Sequence, residues 1–187
     1  MTVQAIRGVG YCARMTRSGD WAFDFSLDLA ERFDVRLDIF FFPTPPSRSH
    51  PSRGRHGELA DVPEDQKVEM EKNVRLYYDQ ILGDFVNVGF RLCEGDEDPE
   101  LRRCLLVRKE YDVLVLAYEG FLSKFGTKSI EEFAESMPCP IVLVGPERPT
   151  QYFVNTPAGV WIDRLGLDEA DCHHVNEVLA RAPFQAS

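Results

Sequence analysis

The sequence predicts a doubly wound α/β domain: a five-stranded parallel sheet in the flavodoxin-like order 3-2-1-4-5, helices on both faces, and a C-terminal extension. Short apolar runs such as Val113-Leu114-Val115-Leu116 and Ile141-Val142-Leu143-Val144 read as strands covered on both faces, the habit of parallel sheets. Segments with helical periodicity separate these runs. The repeated alternation of the two patterns demands right-handed crossovers.

The first strand spans 6–13, with Gly8 and Gly10 interrupting its apolar pattern. A helix over 20–34 sets Ala22, Phe25, Leu29, Ala30 and Phe33 opposite the acidic face Asp20, Asp24, Asp28 and Glu31. The second strand, 35–42, ends in Ile39-Phe40-Phe41-Phe42 and is stopped by Pro43. Val74, Tyr77, Tyr78, Ile81 and Leu82 share one face of a helix over 64–82. Residues 85–93 alternate as an edge strand, and a short helix follows over 99–110. The fourth strand is 112–117 and the last 140–145. Between them a helix over 129–137 opens with Ser129 and Glu132 at capping-box spacing.

Residues 1–146 thus form the α/β domain and 147–187 the extension. The extension holds Tyr152-Phe153-Val154, a turn at 157–159, then Val160-Trp161-Ile162, and a helix over 168–182. Its length is too small for an independent core, so it is expected to pack on the domain or on a second subunit.

Composition narrows the function. The 187 residues are 44% hydrophobic and 28% charged, with 21 basic against 31 acidic side chains and a net charge of −10. That balance argues against broad nucleic-acid or anionic-membrane binding. No apolar run reaches the roughly 18 residues of a membrane span, and no secretory pattern opens the chain, so a cytoplasmic location is expected. Cys12, Cys93, Cys104, Cys139 and Cys172 lack the spacing of a zinc site or a disulfide framework. Cys12 and Cys139 fall on strands and should behave as small buried hydrophobes. The Pro-, Ser- and Arg-rich stretch 43–62 reads as a surface loop, or alternatively as a contact segment for an acidic partner.

In an open parallel sheet the ligand crevice lies beyond the carboxyl ends of the strands, here between loop 14–19 and loop 118–129. The second loop contains Gly120, Ser123, Lys124, Gly126, Thr127 and Lys128 before the helix start. Glycines, hydroxyls and cations there suit a phosphate, although an ordinary strand-to-helix connection has the same composition. Gly8-Val9-Gly10-Tyr11-Cys12-Ala13 formally fits the dinucleotide pattern, but its glycines fall inside a strand rather than at a helix start. On a helix, His173 pairs with Glu169 or Glu177, which is too few ligands for a metal. His50 and His56 lie in the 43–62 stretch. There is no Walker A, G-x-S-x-G or HExxH pattern.

Three segments, 112–120, Gly126-Thr127 and Pro138-Cys139-Pro140-Ile141-Val142-Leu143-Val144, resemble the C-terminal half of a universal stress protein domain in order and spacing. Gly95-Asp96-Glu97-Asp98-Pro99 is similar to that family's Gly-Asp-Pro turn, and Leu27-Asp28-Leu29-Ala30 fits its first helix. The resemblance covers about 5–146. It implies a flavodoxin-like fold, frequent dimerisation and a role in stress response, with ATP bound by some members. Nucleotide-binding members carry glycine, two residues, glycine, nine residues, then glycine and serine or threonine, plus an aspartate after strand one. This chain has Ala117 at the first glycine, only five residues between Gly120 and Gly126, and Arg14 or Met15 near the aspartate.

The leading expectation is therefore a non-catalytic, cytoplasmic homodimer with degenerate or absent ATP binding. Its interface is expected to use the edge strand Ile141–Val144 and the tail. One alternative is an ATP- or AMP-binding switch using Arg14, Gly120, Lys124, Gly126 and Thr127. The other is a hydrolase or transferase, for which the crevice loops offer no nucleophile beside a base.

Overall fold

The computed structural model describes residues 5–43, 63–121 and 123–182; the stretch 44–62, with His50 and His56, lies outside them. In chain order the elements begin β1 (Gly8–Cys12), α1 (Arg17–Phe33), β2 (Arg36–Phe41), α2 (Glu64–Leu82), β3 (Val88–Leu92), α3 (Glu97–Leu106) and β4 (Val113–Ala117). A small hairpin follows, β5 (Lys124–Phe125) and β6 (Lys128–Ser129), leading into α4 (Ile130–Ser136) and β7 (Ile141–Val144). The extension supplies β8 (Tyr152–Val154), α5 (Thr156–Gly159), α6 (Ile162–Leu165), β9 (Cys172–His174) and α7 (Val175–Arg181).

The main sheet runs β3-β2-β1-β4-β7-β8-β9. Its first five members are mutually parallel and reproduce the expected 3-2-1-4-5 order, with β7 as the fifth strand. Every residue of β4 and β7 is buried, because helices cover both faces. One core layer joins Phe23, Leu29 and Tyr78 of α1 and α2 to the sheet; the other joins Leu101, Phe133 and Val175 of α3, α4 and α7.

Three expectations are corrected. First, Ile141–Val144 is not an edge. Val142, Leu143 and Val144 pair antiparallel with Val154, Phe153 and Tyr152, and β9 pairs parallel outside β8. A tail with free β-forming residues satisfies an open strand edge directly. Second, the helix expected over 168–182 exists only as Val175–Arg181, because Cys172–His174 is drawn into strand pairing. Third, α3 begins at Glu97 and ends at Leu106, where Lys109 in a left-handed conformation (φ 53°) helps turn the chain toward β4.

Asn155 fastens the extension to the domain. It is fully buried, accepts from the backbone N–H of Ile141 (2.9 Å) and Ala158 (3.0 Å), and donates to the carbonyls of Ala134 (2.8 Å) and Cys139 (2.9 Å). Its hydrogen-bonding capacity is spent on two parts of the molecule at once. No helix among the described residues is long and apolar enough to cross a membrane.

Candidate functional site

At the carboxyl ends of β1 and β4 the two expected loops face each other. Thr16 caps α1, its hydroxyl accepting from Gly19 N–H (3.1 Å), and the same hydroxyl donates to the Glu119 carboxylate across the crevice. Beyond Glu119 the loop turns at Gly120, and Ser123 donates its hydroxyl to the Gly120 carbonyl (2.8 Å). It then folds into the β5–β6 hairpin, with Gly126-Thr127 as its two-residue turn. Gly126 has φ 66° while Thr127 does not, the pattern of a type II′ turn that favours glycine first.

The hairpin inserts Phe125 into the crevice. Phe125 is buried, its ring 4.4 Å from that of Phe133, and the Arg14 guanidinium lies over the ring, 5.9 Å from its centre. Arg14 also lies 3.8 Å from Glu97, a carboxylate that is 6% exposed. The second Glu97 oxygen has no hydrogen-bond partner among the described residues and lies where a side chain on Gly126 would approach to 3.5 Å. What remains between Arg14, Lys124, Ser123 and Phe125 is a cavity of about 30 Å³. That is room for about one water molecule.

Ion pairs brace the hairpin from outside. Lys128 contacts Asp98 (2.8 Å), which also accepts from Arg102. Burial opposes ionisation of Asp98, but the bonds from Lys128 and Arg102 outweigh it and hold the carboxyl below its ordinary value. Ser129 and Glu132 form the expected capping box, and the Ser129 backbone and hydroxyl bonds likewise hold Glu132 low. Beneath the crevice, burial pushes the Cys12 thiol up to about 11, so it is a packing group rather than a nucleophile.

Of the sequence-predicted site residues, Arg14 and Lys124 line one cavity. Gly126 packs against Glu97, Thr127 is exposed in the hairpin turn, and Gly120 stands in open space. Glu97 and Phe125 went unrecognised as site residues. The stretch Gly95–Pro99 resembles a Gly-Asp-Pro turn, a likeness that does not show Glu97 turning inward, and nothing in the composition marks Phe125 as an insert. The strand glycines have a packing explanation: a Cβ on Gly10 would come within 2.9 Å of the Tyr111 ring. His173 sits in β9 with its ring 5.0 Å from Phe153, and among the described residues no three side chains form a metal-ligating cluster.

A doubly wound sheet with its crevice at this point is a flavodoxin-like α/β fold. Neither a protein-family model nor a curated protein matches the chain. Solved structures do match. Universal stress protein UspA from Lactobacillus plantarum is 14% identical with a TM-score of 0.55, the match covering 74% of this chain and 97% of that one. A universal stress protein in complex with cAMP is also 14% identical, with a TM-score of 0.51 and coverage of 75% and 98%. The fold is therefore that of universal stress proteins, and about a quarter of this chain lies beyond it.

Proposed function

We propose that this chain is a non-catalytic stress-response protein, cytoplasmic and homodimeric, whose crevice does not take a nucleoside triphosphate. The observation that carries this reading is the crevice filled from within by Phe125 and by the Arg14–Glu97 and Thr16–Glu119 contacts. Small-molecule sites usually offer about 300–1,000 Å³; among the described residues, the cavity between Arg14, Ser123, Lys124 and Phe125 measures about 30 Å³. Glu97 and Glu119 also place negative charge where phosphates would lie, and repulsion at that range is strong in a partly buried site. The Thr16 hydroxyl caps α1 while donating to Glu119, and the Ser123 hydroxyl is committed to the Gly120 carbonyl, so both serve the local fold.

Titration calorimetry and thermal shift with ATP and Mg²⁺ test this. Neither heat nor a shift is expected at about 1 mM ligand. Saturable binding weakened by Lys124→Ala and Thr127→Ala would overturn it.

The neighbour solved with cAMP favours a second reading, a switch responding to a mononucleotide such as cAMP or AMP. Arg14 and Lys124, both lining the small cavity, would meet its single phosphate once the Phe125 ring swung out of the crevice. Binding of AMP or cAMP without ATP in the same titration selects this reading. For the dimer, the tail now supplies the outer strand, and we place the contact there. Light scattering that finds only monomer at micromolar concentration rejects it.

A further inference from the structure

We propose that the cavity at the amino end of the sheet, opposite the crevice, binds a small amphipathic carboxylate: an aromatic or branched aliphatic body bearing one anionic group. The cavity measures about 600 Å³, well within the roughly 300–1,000 Å³ typical of small-molecule sites. It is a true concavity. Tyr111 and Cys139 reach it although they are 1% and 6% exposed, so an occupant would touch the core and not merely cover a flat patch. Burial pushes the Cys139 thiol up to about 12, which makes it an inert apolar floor.

The walls are apolar and wet. Leu106 and Val160 are 58% and 81% exposed, and the half-buried Trp161 ring stands beside them. Exposed apolar surface gathered around a concavity marks a binding site more than scattered single residues do. Trp161 and Val160 belong to the extension, whereas Leu106, Tyr111 and Cys139 belong to the α/β domain. The segment held down by Asn155 therefore completes the cavity.

Charge selects an anionic occupant. Three charged side chains line the cavity: Arg7, Lys109 and Asp112. Asp112 is consumed by Arg7, accepting from its backbone N–H at 2.8 Å and from its guanidinium at 3.1 and 3.3 Å. Lys109 is exposed and has no ion-pair partner among the described residues. The mouth thus holds one positive charge in excess, on a chain whose net charge is −10. The carboxyl ends of α3 and α4 open toward this side, and their partial negative charge weighs against an anion. Its recognition falls on Lys109.

Calorimetry on the full chain at low salt, with 2-naphthoate as probe and neutral 2-naphthylmethanol beside it, tests the site. Naphthoate is expected to bind at one per chain, and the alcohol roughly fivefold more weakly or less. Lys109→Asn keeps a residue that tolerates the left-handed backbone. It should weaken naphthoate by roughly fivefold and leave the alcohol unchanged. Val160→Trp, at an exposed position that does not threaten folding, should fill the mouth and abolish both. Failure of naphthoate to bind up to its solubility limit overturns the proposal, as does binding that neither variant alters. So does a dimer that Val160→Trp converts to monomer while naphthoate stays unbound, which would make this face a contact between copies.

Discussion

The two ends of one sheet have opposite characters. At the carboxyl end, where the fold ordinarily holds its ligand, polar groups consume one another: Arg14 meets Glu97, Thr16 meets Glu119, Lys128 and Arg102 meet Asp98, and Phe125 fills the centre. At the amino end a single ion pair, Arg7–Asp112, uses up the nearby carboxylate and leaves apolar walls unfilled. The same strands set both ends, so topology does not decide which one has room. Side chains on loops do, and a fold's usual crevice predicts a site only when its loops leave space.

Phe125→Ala is the strongest way to break the contrast. Removing a buried ring that packs on Phe133 should destabilise the protein by about 3–5 kcal/mol, read from the urea unfolding midpoint. The crevice would then be open but still acidic. If ATP binds the variant, the ring alone was the barrier; if it does not, Glu97 and Glu119 contribute as well. A loss below about 1 kcal/mol would mean the hairpin is not packed as described.

Asn155→Ala attacks the other end. It leaves the Ile141 N–H and two carbonyls without their buried partner, at an expected cost of about 3 kcal/mol. Amide exchange should quicken over 156–165 and naphthoate binding should weaken. Exchange in the β5–β6 hairpin should stay as it was. Equal acceleration at both ends would show that they are one cooperative unit and not two independent sites.

The parallel core was legible because its strands are apolar on both faces, which few other structures require, as in Val113–Ala117 and Ile141–Val144. Ser129 and Glu132 were legible because the capping box has a fixed spacing. Cys172–His174 was not. The periodicity of Val175, Val178 and Leu179 extends naturally backward, and only pairing with β8, distant in sequence, turns those three residues into a strand. The hairpin escaped for a related reason, since strands of two residues are too short for any period to show. Glu97 was hidden by its chemistry. A carboxylate in a first helical turn is normally solvated, and its inward direction is a tertiary property.

Acid gives the smallest and most selective test of the contrast. Asp98 and Glu132 are held below their ordinary values of 3.8 and 4.5, so each contributes stability that is fully present above those values. That contribution is lost as pH falls through the lower folded values. Both groups brace the hairpin that carries Phe125, so mild acidification should loosen the carboxyl end. Solvent screening keeps the effect below about 1 kcal/mol. Urea unfolding at steps from pH 7 to pH 3 should show stability falling below about pH 4, and Asp98→Asn should flatten the fall while lowering stability at neutral pH. An identical pH profile for the variant would mean that Asp98 does not couple the hairpin to α3, and that the crevice is held shut by packing alone.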